Sequence, residues 1–245
     1  MNLKNKIAVL FLAMGCTITI TAQKVTVATY HKMELAKYQK VIKQSLTYGD
    51  ASTAVQAMHS ILALKEENSS YKDSLVSLYF GSGKYNSSLL LSKELLLKKP
   101  KNKGLLEIQA LSYQNLGNPL EAIKSYENLV PISKNFYHAY QLGYLQFSVK
   151  RLLEASKTLD VAMTMEQTAN IKKIELSFPS VQDQNKTQNV PLMAAFYNLK
   201  GLIYYDLKEN EKAKTAFENA LKIMPTFEYA QQSLNALDMM AKTKE

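Results

Sequence analysis

The chain has 245 residues, 47% of them hydrophobic, which is enough apolar material for a substantial core and excludes both a disordered tail and a stapled miniprotein. Only 8 glycines and 6 prolines interrupt a composition rich in Leu, Lys, Ala, Glu and Gln, side chains that lose little rotamer freedom in helices. The formal charge of +9 comes from lysines interleaved with glutamates, the pattern of a solvated surface rather than a nucleic-acid-binding face, and the single cysteine excludes a disulfide framework.

At the start, Lys4 and Lys6 precede the apolar run "IAVLFLAMGCTITI", and the small residues of "TAQ" at Thr21 to Gln23 follow, which are the three zones of a secretory signal over residues 1–23. Cleavage there starts the mature chain near Lys24 with a formal charge of +7, because no acidic residue lies before that point. The stretch from Thr17 to Thr29 is also the one place with a dense Val, Ile and Thr content that favours strands. Cys16 follows "LAMG", which resembles the lipobox of bacterial lipoproteins, except that Leu12 stands one residue too far from the cysteine. Lipidation at Cys16 therefore stands beside cleavage after Gln23, and the small-residue exit at Thr21 to Gln23 is explained only by the second. The mature N-terminus separates them: lipid on Cys16, or an unmodified start near Lys24. No later stretch approaches the roughly 18 apolar residues needed to cross a bilayer, so the exported body is expected to be soluble and free of thiols.

After an N-terminal lead-in at 24–34, one layout recurs. It is seen in "YGDASTAVQAMHSILALKEE", "SGKYNSSLLLSKELLLKKP", "LGNPLEAIKSYENLVPIS", "VKRLLEASKTLDVAMTME" and "LKENEKAKTAFENALKIMP". Each has a turn residue, a small residue five places on, and positions four and seven places after that which are apolar in every unit but for Ser92 in the second. The small residues Ala54, Ser88, Ala122, Ala155 and Ala213 are separated by 34, 34, 33 and 58 residues, the last step being one period of 34 plus an insertion of 24. The upstream halves, such as "AYQLGYLQFSVK" and "YNLKGLIYYDLK", carry apolar residues at helical spacing, so every unit reads as two amphipathic helices joined by a tight turn. Gly49 and Gly117 supply that turn, because glycine accepts a positive φ without a side-chain clash.

This layout resembles the tetratricopeptide repeat. The fifth unit matches that pattern through Tyr197, Gly201, Tyr204, Ala213, Phe217, Ala220 and Pro225; the fourth through Leu142, Gly143, Ala155, Leu159 and Ala162; the third through Tyr113, Ala122 and Tyr126. The resemblance implies an all-α fold, an α-solenoid of about five helix-turn-helix units: four over 35–167 and a fifth over 194–227. Small residues at Gly143 and Gly201 are expected to let paired helices approach, with Phe217 and Tyr126 filling the space between units and Pro100 and Pro225 ending second helices. Ile42 and Val76 stand where glycine is usual and Ser88 where alanine is, so the first two pairs are expected to splay.

Residues 168–193 hold the insertion, "TANIKKIELSFPSVQDQNKTQNVP" at its centre, read as a helical extension that breaks near Phe178 and Pro179, followed by a mobile, Asn/Gln-rich polar loop. Residues 228–245 read as a capping helix and tail, with Tyr229, Leu234, Leu237 and Met240 on its packed side and Gln231, Asn235 and Lys242 on the other.

No constellation in the chain points to catalysis. His31, His59 and His138 stand apart from second ligands at metal spacing, and a Gly-rich phosphate loop, a nucleophile elbow and an HExxH motif are all missing from the sequence. The Glu66–Glu67 pair reads as solvated surface, and "NKT" at Asn185 has only the form of a glycosylation acceptor. The expectation is a protein without enzymatic activity, cofactor or metal. The resemblance places first helices along a concave groove, and the matching places here are Tyr137, Tyr140, Tyr144 and Phe147, then Asn198, Leu202 and Tyr205 beside Asp206, with Glu107, Leu111 and Gln114 in the third unit. Steps of three, four and three set the four aromatic residues on one helix face, where they serve either as a peptide-binding strip or as packing between helices. Tyrosine suits recognition because it offers large area with few rotatable bonds and keeps a hydroxyl. The chaperone-tail clamp of some family members is not implied: Lys43 matches a basic groove place, but Ser77 and Leu111 occupy the next two, and Arg151 is the only arginine. The expected partner is a protein or peptide met after export to the periplasm or cell envelope, with no nucleic acid, and with a membrane only through lipid on Cys16. The alternative is a lipid-anchored structural component of an outer-membrane assembly complex.

Overall fold

The computed structural model describes residues 27–64, 69–183 and 185–242. The expected signal with Cys16, the Glu66–Glu67 pair and the last residues of the tail lie outside these. The chain divides into two compact units, Met1–Ser88 and Leu89–Glu245.

In the first unit, helix α1 covers 27–47, α2 is Ala51–Leu64, α3 is Ser69–Gly81, and α4, Tyr85–Lys98, begins here. Val27, Ala28 and Thr29 are helical, so the strand preference of the Thr17–Thr29 stretch does not hold for them. Strand propensity depends on a pleated, half-buried surface to pack against, and a few β-branched residues cost a helix only tenths of a kcal/mol each. Ala54, Met58 and Ile61 on α2 are buried with Leu75 and Val76 on α3. At the place where Val76 stands for glycine, the Ser88 hydroxyl of α4 donates to the Val76 carbonyl of α3 at 2.9 Å, so the two helices touch at that point.

The second unit continues with α5 (Lys103–Asn115), α6 (Pro119–Ser133), α7 (Phe136–Ser148) and α8 (Leu152–Ala162). A one-turn helix α9 (Ala169–Lys172), strands β1 (Glu175–Pro179) and β2 (Thr187–Pro191), and helices α10 (Leu192–Asp206), α11 (Asn210–Ile223) and α12 (Glu228–Lys242) complete it. Side chains start several helices: Asn102 accepts from the Leu105 amide, Asn135 from the amides of Tyr137 and His138, and Thr168 from Ile171. Each of the helix pairs α5/α6, α7/α8 and α10/α11 packs face to face.

The repeat determines what is buried. Ala54, Ser88, Ala122, Ala155 and Ala213 all have 0% exposure, and the apolar positions four and seven places on, among them Tyr126, Leu129, Leu159, Phe217 and Ala220, are buried as well. A β-carbon on Gly143 would stand 2.6 Å from Leu159 Cδ2, and one on Gly201 would stand 2.5 Å from the Phe217 ring, so both glycines exist for helix contact within a pair. Phe217 thus fills its own unit as well as meeting Leu237 of α12, rather than serving only between units, and Tyr126 likewise donates within its unit to Gln114 at 2.9 Å. The residue between first and second helix has a positive φ in all five units. Gly49, Gly83 and Gly117 hold it at 70° to 74°, but Lys150 and Lys208 hold it at 62° and 65°, a conformation that costs a side-chain-bearing residue about 1 kcal/mol or more.

The insertion departs from expectation. Instead of a helical extension and a mobile loop it forms α9 and an antiparallel hairpin, with Leu176 opposite Val190 and Phe178 opposite Gln188. Leu176, Phe178, Gln188 and Val190 lie inward while Glu175, Ser177, Pro179, Thr187 and Asn189 are exposed, which is the period of two that a half-buried strand requires. Helix α12 then packs through Ala230 and Leu237, with Leu234 and Tyr229 half-buried beside them. Met240 is 45% exposed, contrary to its expected place on the packed side; it sits in the last turn, where its sulfur accepts from the Tyr205 hydroxyl at 3.5 Å.

Candidate functional site

The seven residues expected to line a groove are not equivalent. On α7, Tyr140 is buried at 5% exposure, Tyr144 is 49% exposed, and Tyr137 and Phe147 are half-buried. The three tyrosines form one electrostatic cluster: burial, then the neighbouring Tyr144 and Tyr137, push the Tyr140 phenol well above its ordinary range, so its hydroxyl stays protonated. On α10, Asn198 is buried at 4% exposure and its Oδ1 has no hydrogen-bond partner, while Leu202 and Tyr205 are half-buried. Lys150, in the turn after α7, connects the two helices. Its ammonium donates to Asp206 at 2.8 Å and lies 5.4 Å from the centre of the Phe147 ring.

Leu202 and Tyr205 meet Phe217 and three residues of α12, Gln232, Ser233 and Ala236, around a pocket of about 270 Å³. The α12 residues extend the groove one helix beyond the places expected for it. Their signal was in the period: Gln232 and Ala236 stand 34 residues after Asn198 and Leu202. At the other end Glu107, in a third-unit groove place, lies 3.4 Å from His138 Nε2, and the ring's Nδ1 is 3.0 Å from the Ser133 hydroxyl, so His138 is a satisfied, 8%-exposed core residue.

The hydrogen bond from His138, with its charge in support and burial opposing, holds the Glu107 carboxyl below its ordinary value. A carboxyl depressed in the folded state stabilises the fold above its unfolded value, about pH 4.3, and loses that contribution as pH falls through the lower folded value. The urea midpoint of the wild type should therefore fall further between pH 6 and pH 3 than that of Glu107→Gln. Parallel midpoints in the two proteins would show that the contact does not stabilise the fold.

Two larger clefts lie elsewhere, and several of their polar groups are already engaged. One of about 930 Å³ lies between the α6–α7 turn and the segment after α8, but its Ser133, Asn135 and Thr168 side chains serve His138, α7 and α9 respectively. One of about 340 Å³ lies beside Tyr197 and Tyr204, where Lys200 pairs with Asp160 at 2.7 Å and Lys212 with Glu209 at 2.6 Å. Among the described residues no group of three His, Cys, Asp or Glu is placed to hold a metal ion.

Residues 194–227, which are α10, α11 and the turn into α12, match the tetratricopeptide repeat model. Solved structures with this fold include MamA, at 22% identity over 67% of this chain and 82% of that one with a TM-score of 0.53. They also include YrrB, a tetratricopeptide repeat protein with an unusual peptide-binding site, at 14% identity over 80% of this chain and 89% of that one with a TM-score of 0.60. No curated protein matches the chain. Residues 194–227 form a tetratricopeptide repeat, and the fold class of the chain is the α-solenoid of stacked helix pairs.

Proposed function

We propose that this chain is an exported, non-enzymatic scaffold that holds a peptide or helix of another envelope protein against the groove places of α7, α10 and α12. The observation that carries this reading is the half-exposed Tyr144 set on the buried Tyr140, in series with a pocket walled by Leu202, Tyr205 and α12. It is an aromatic and aliphatic surface beside which Lys150 and Asp206 neutralise each other and the Lys208 ammonium lies 5.6 Å from the centre of the Tyr205 ring. Apolar area of this kind favours side-chain insertion over the capture of a charged ligand. The peptide-binding character of YrrB is in keeping with it, as is the general use of these repeats for protein–protein interaction.

The test follows from the exposures. Tyr140→Ala is a poor probe, because emptying a 5%-exposed site costs about 3 kcal/mol or more and confounds binding with folding. Tyr144→Ala combined with Tyr205→Ala removes contact area while leaving every fully buried side chain in place. Recovery of a crosslinked envelope partner should fall roughly tenfold or more with the thermal midpoint nearly unchanged. Wild-type recovery from a folded double variant would refute the groove.

A further inference from the structure

Among the described residues, the side-chain hydrogen bonds that the insertion between the fourth and fifth units makes outside itself reach the start of α12. Gln188, in the middle of β2, bridges that start: its Nε2 donates to the Thr226 carbonyl at 2.7 Å and its Oε1 accepts from the backbone N–H of Glu228 at 3.1 Å. The Glu228 carboxylate points back into the hairpin turn. It accepts from the Ser180 hydroxyl at 2.9 Å, from the Gln182 amide at 3.3 Å and from the Val181 amide. The Phe178 ring stands edge-on to Phe227 at 5.2 Å and lies 5.7 Å from Tyr229, so an aromatic cluster backs the polar one.

These contacts matter because they add polar anchors at the N-terminal end of α12, where Phe227 and Ala230 already pack into the core. A 15-residue helix is marginal in water by itself, and its first amides need partners from outside the helix. Its C-terminal half is held separately, by Leu237 in the Phe217 cluster and by Lys214 donating to Asp238 at 2.8 Å. Between those two anchors lie Gln232, Ser233 and Ala236, the wall of the groove pocket opposite Leu202 and Tyr205.

We infer that the hairpin of the insertion is a clasp that fixes the N-terminal half of α12, and that Glu228 is a positioning residue for the far wall of the groove. The clasp is read from contacts within the chain and needs no ligand; only its consequence for recognition rests on the groove proposed above. A hairpin serving as a free docking edge would keep its apolar face open, whereas Val190 has 0% exposure and Phe178 is engaged with Phe227 and Tyr229. A simpler role for Glu228 is as an acid favoured by the helix dipole in a first turn. That role depends on its charge alone and is indifferent to Gln188 and Ser180.

Hydrogen exchange on the full chain, followed by mass spectrometry, separates these roles. With Glu228→Ala, amides of α12 and of 175–191 should exchange roughly tenfold faster, together, while those of α5 to α8 keep wild-type rates. Gln188→Ala changes no charge and should loosen the same amides, and Glu228→Asp should restore part of the protection. Unchanged α12 rates in Glu228→Ala, faster exchange spread over the whole chain, or a silent Gln188→Ala would each overturn the clasp. If α12 loosens in Glu228→Ala yet partner recovery stays at the wild-type level, while Tyr144→Ala with Tyr205→Ala still abolishes recovery, the positioning role is refuted and the groove stands.

Discussion

Gly201→Ala destabilises this protein by about 1–3 kcal/mol, although the same change in an exposed helix interior is normally favourable by about 1 kcal/mol. The reversal comes from one distance. A β-carbon at position 201 would lie 2.5 Å from Phe217 Cε1, with Cδ1 and Cζ also inside 3 Å, so it meets the body of a ring rather than the tip of a chain. Phe217 is 1% exposed, which leaves the ring nowhere to swing, and relief requires α10 and α11 to separate along a contact that Ala213 and Ala220 keep close. Gly143→Ala makes a useful contrast. Its new atom would meet Leu159 Cδ2 at 2.6 Å, and a leucine methyl can be moved by a rotamer change where a phenyl ring cannot. Equilibrium urea denaturation should therefore rank Gly201→Ala below Gly143→Ala, and Phe217→Leu should recover much of the loss when combined with Gly201→Ala. Equal midpoints for both alanine variants and wild type would mean that the close approach at Gly201 is not what spaces the pair.

That glycine was legible in the sequence because it belongs to a period. Ala54, Ser88, Ala122, Ala155 and Ala213 could be predicted to be buried from their 34-residue spacing alone, since a face that recurs identically must meet the same neighbour each time. The hairpin has no such support. "ELSF" and "TQNV" do alternate, but each run is short and flanked by proline, and what holds them together is Thr226, Phe227 and Glu228, some 40 residues further along the chain. Composition therefore presented Gln188 as loop material when it is a bridge between strand and helix. The candidate site divides in the same way. Spacing places Tyr140 and Tyr144 on one face of α7, yet 5% exposure for one and 49% for the other follows from packing in the folded unit, which no i, i+4 argument contains. Only the folded chain shows Tyr140 buried and Tyr144 half-exposed.

Phe136→Ala should cost about 3–5 kcal/mol, a large share of the roughly 5–15 kcal/mol by which domains are ordinarily stable. Phe136 opens α7 and Phe196 lies in the first turns of α10; both have 0% exposure, and their ring centroids are 5.0 Å apart at a tilt of 37°. The pair joins the first helices of the fourth and fifth units across the point where the insertion interrupts the regular step. In a stack whose stability is a sum of units and nearest-neighbour interfaces, weakening one interface does more than lower the total. It lets the segment beyond it, α10 to α12, melt apart from α5 to α8. Urea unfolding of Phe136→Ala should accordingly broaden, with a lower apparent slope by far-UV circular dichroism, whereas Phe136→Leu should keep one sharp transition at a modestly lower midpoint. The aromatic contact itself is isolated by a double-mutant cycle: Phe136→Leu and Phe196→Leu should couple by about 0.5–1.5 kcal/mol. Strict additivity would show that each ring packs against other residues, and the junction between the two units would then rest on the α8–α10 contact instead.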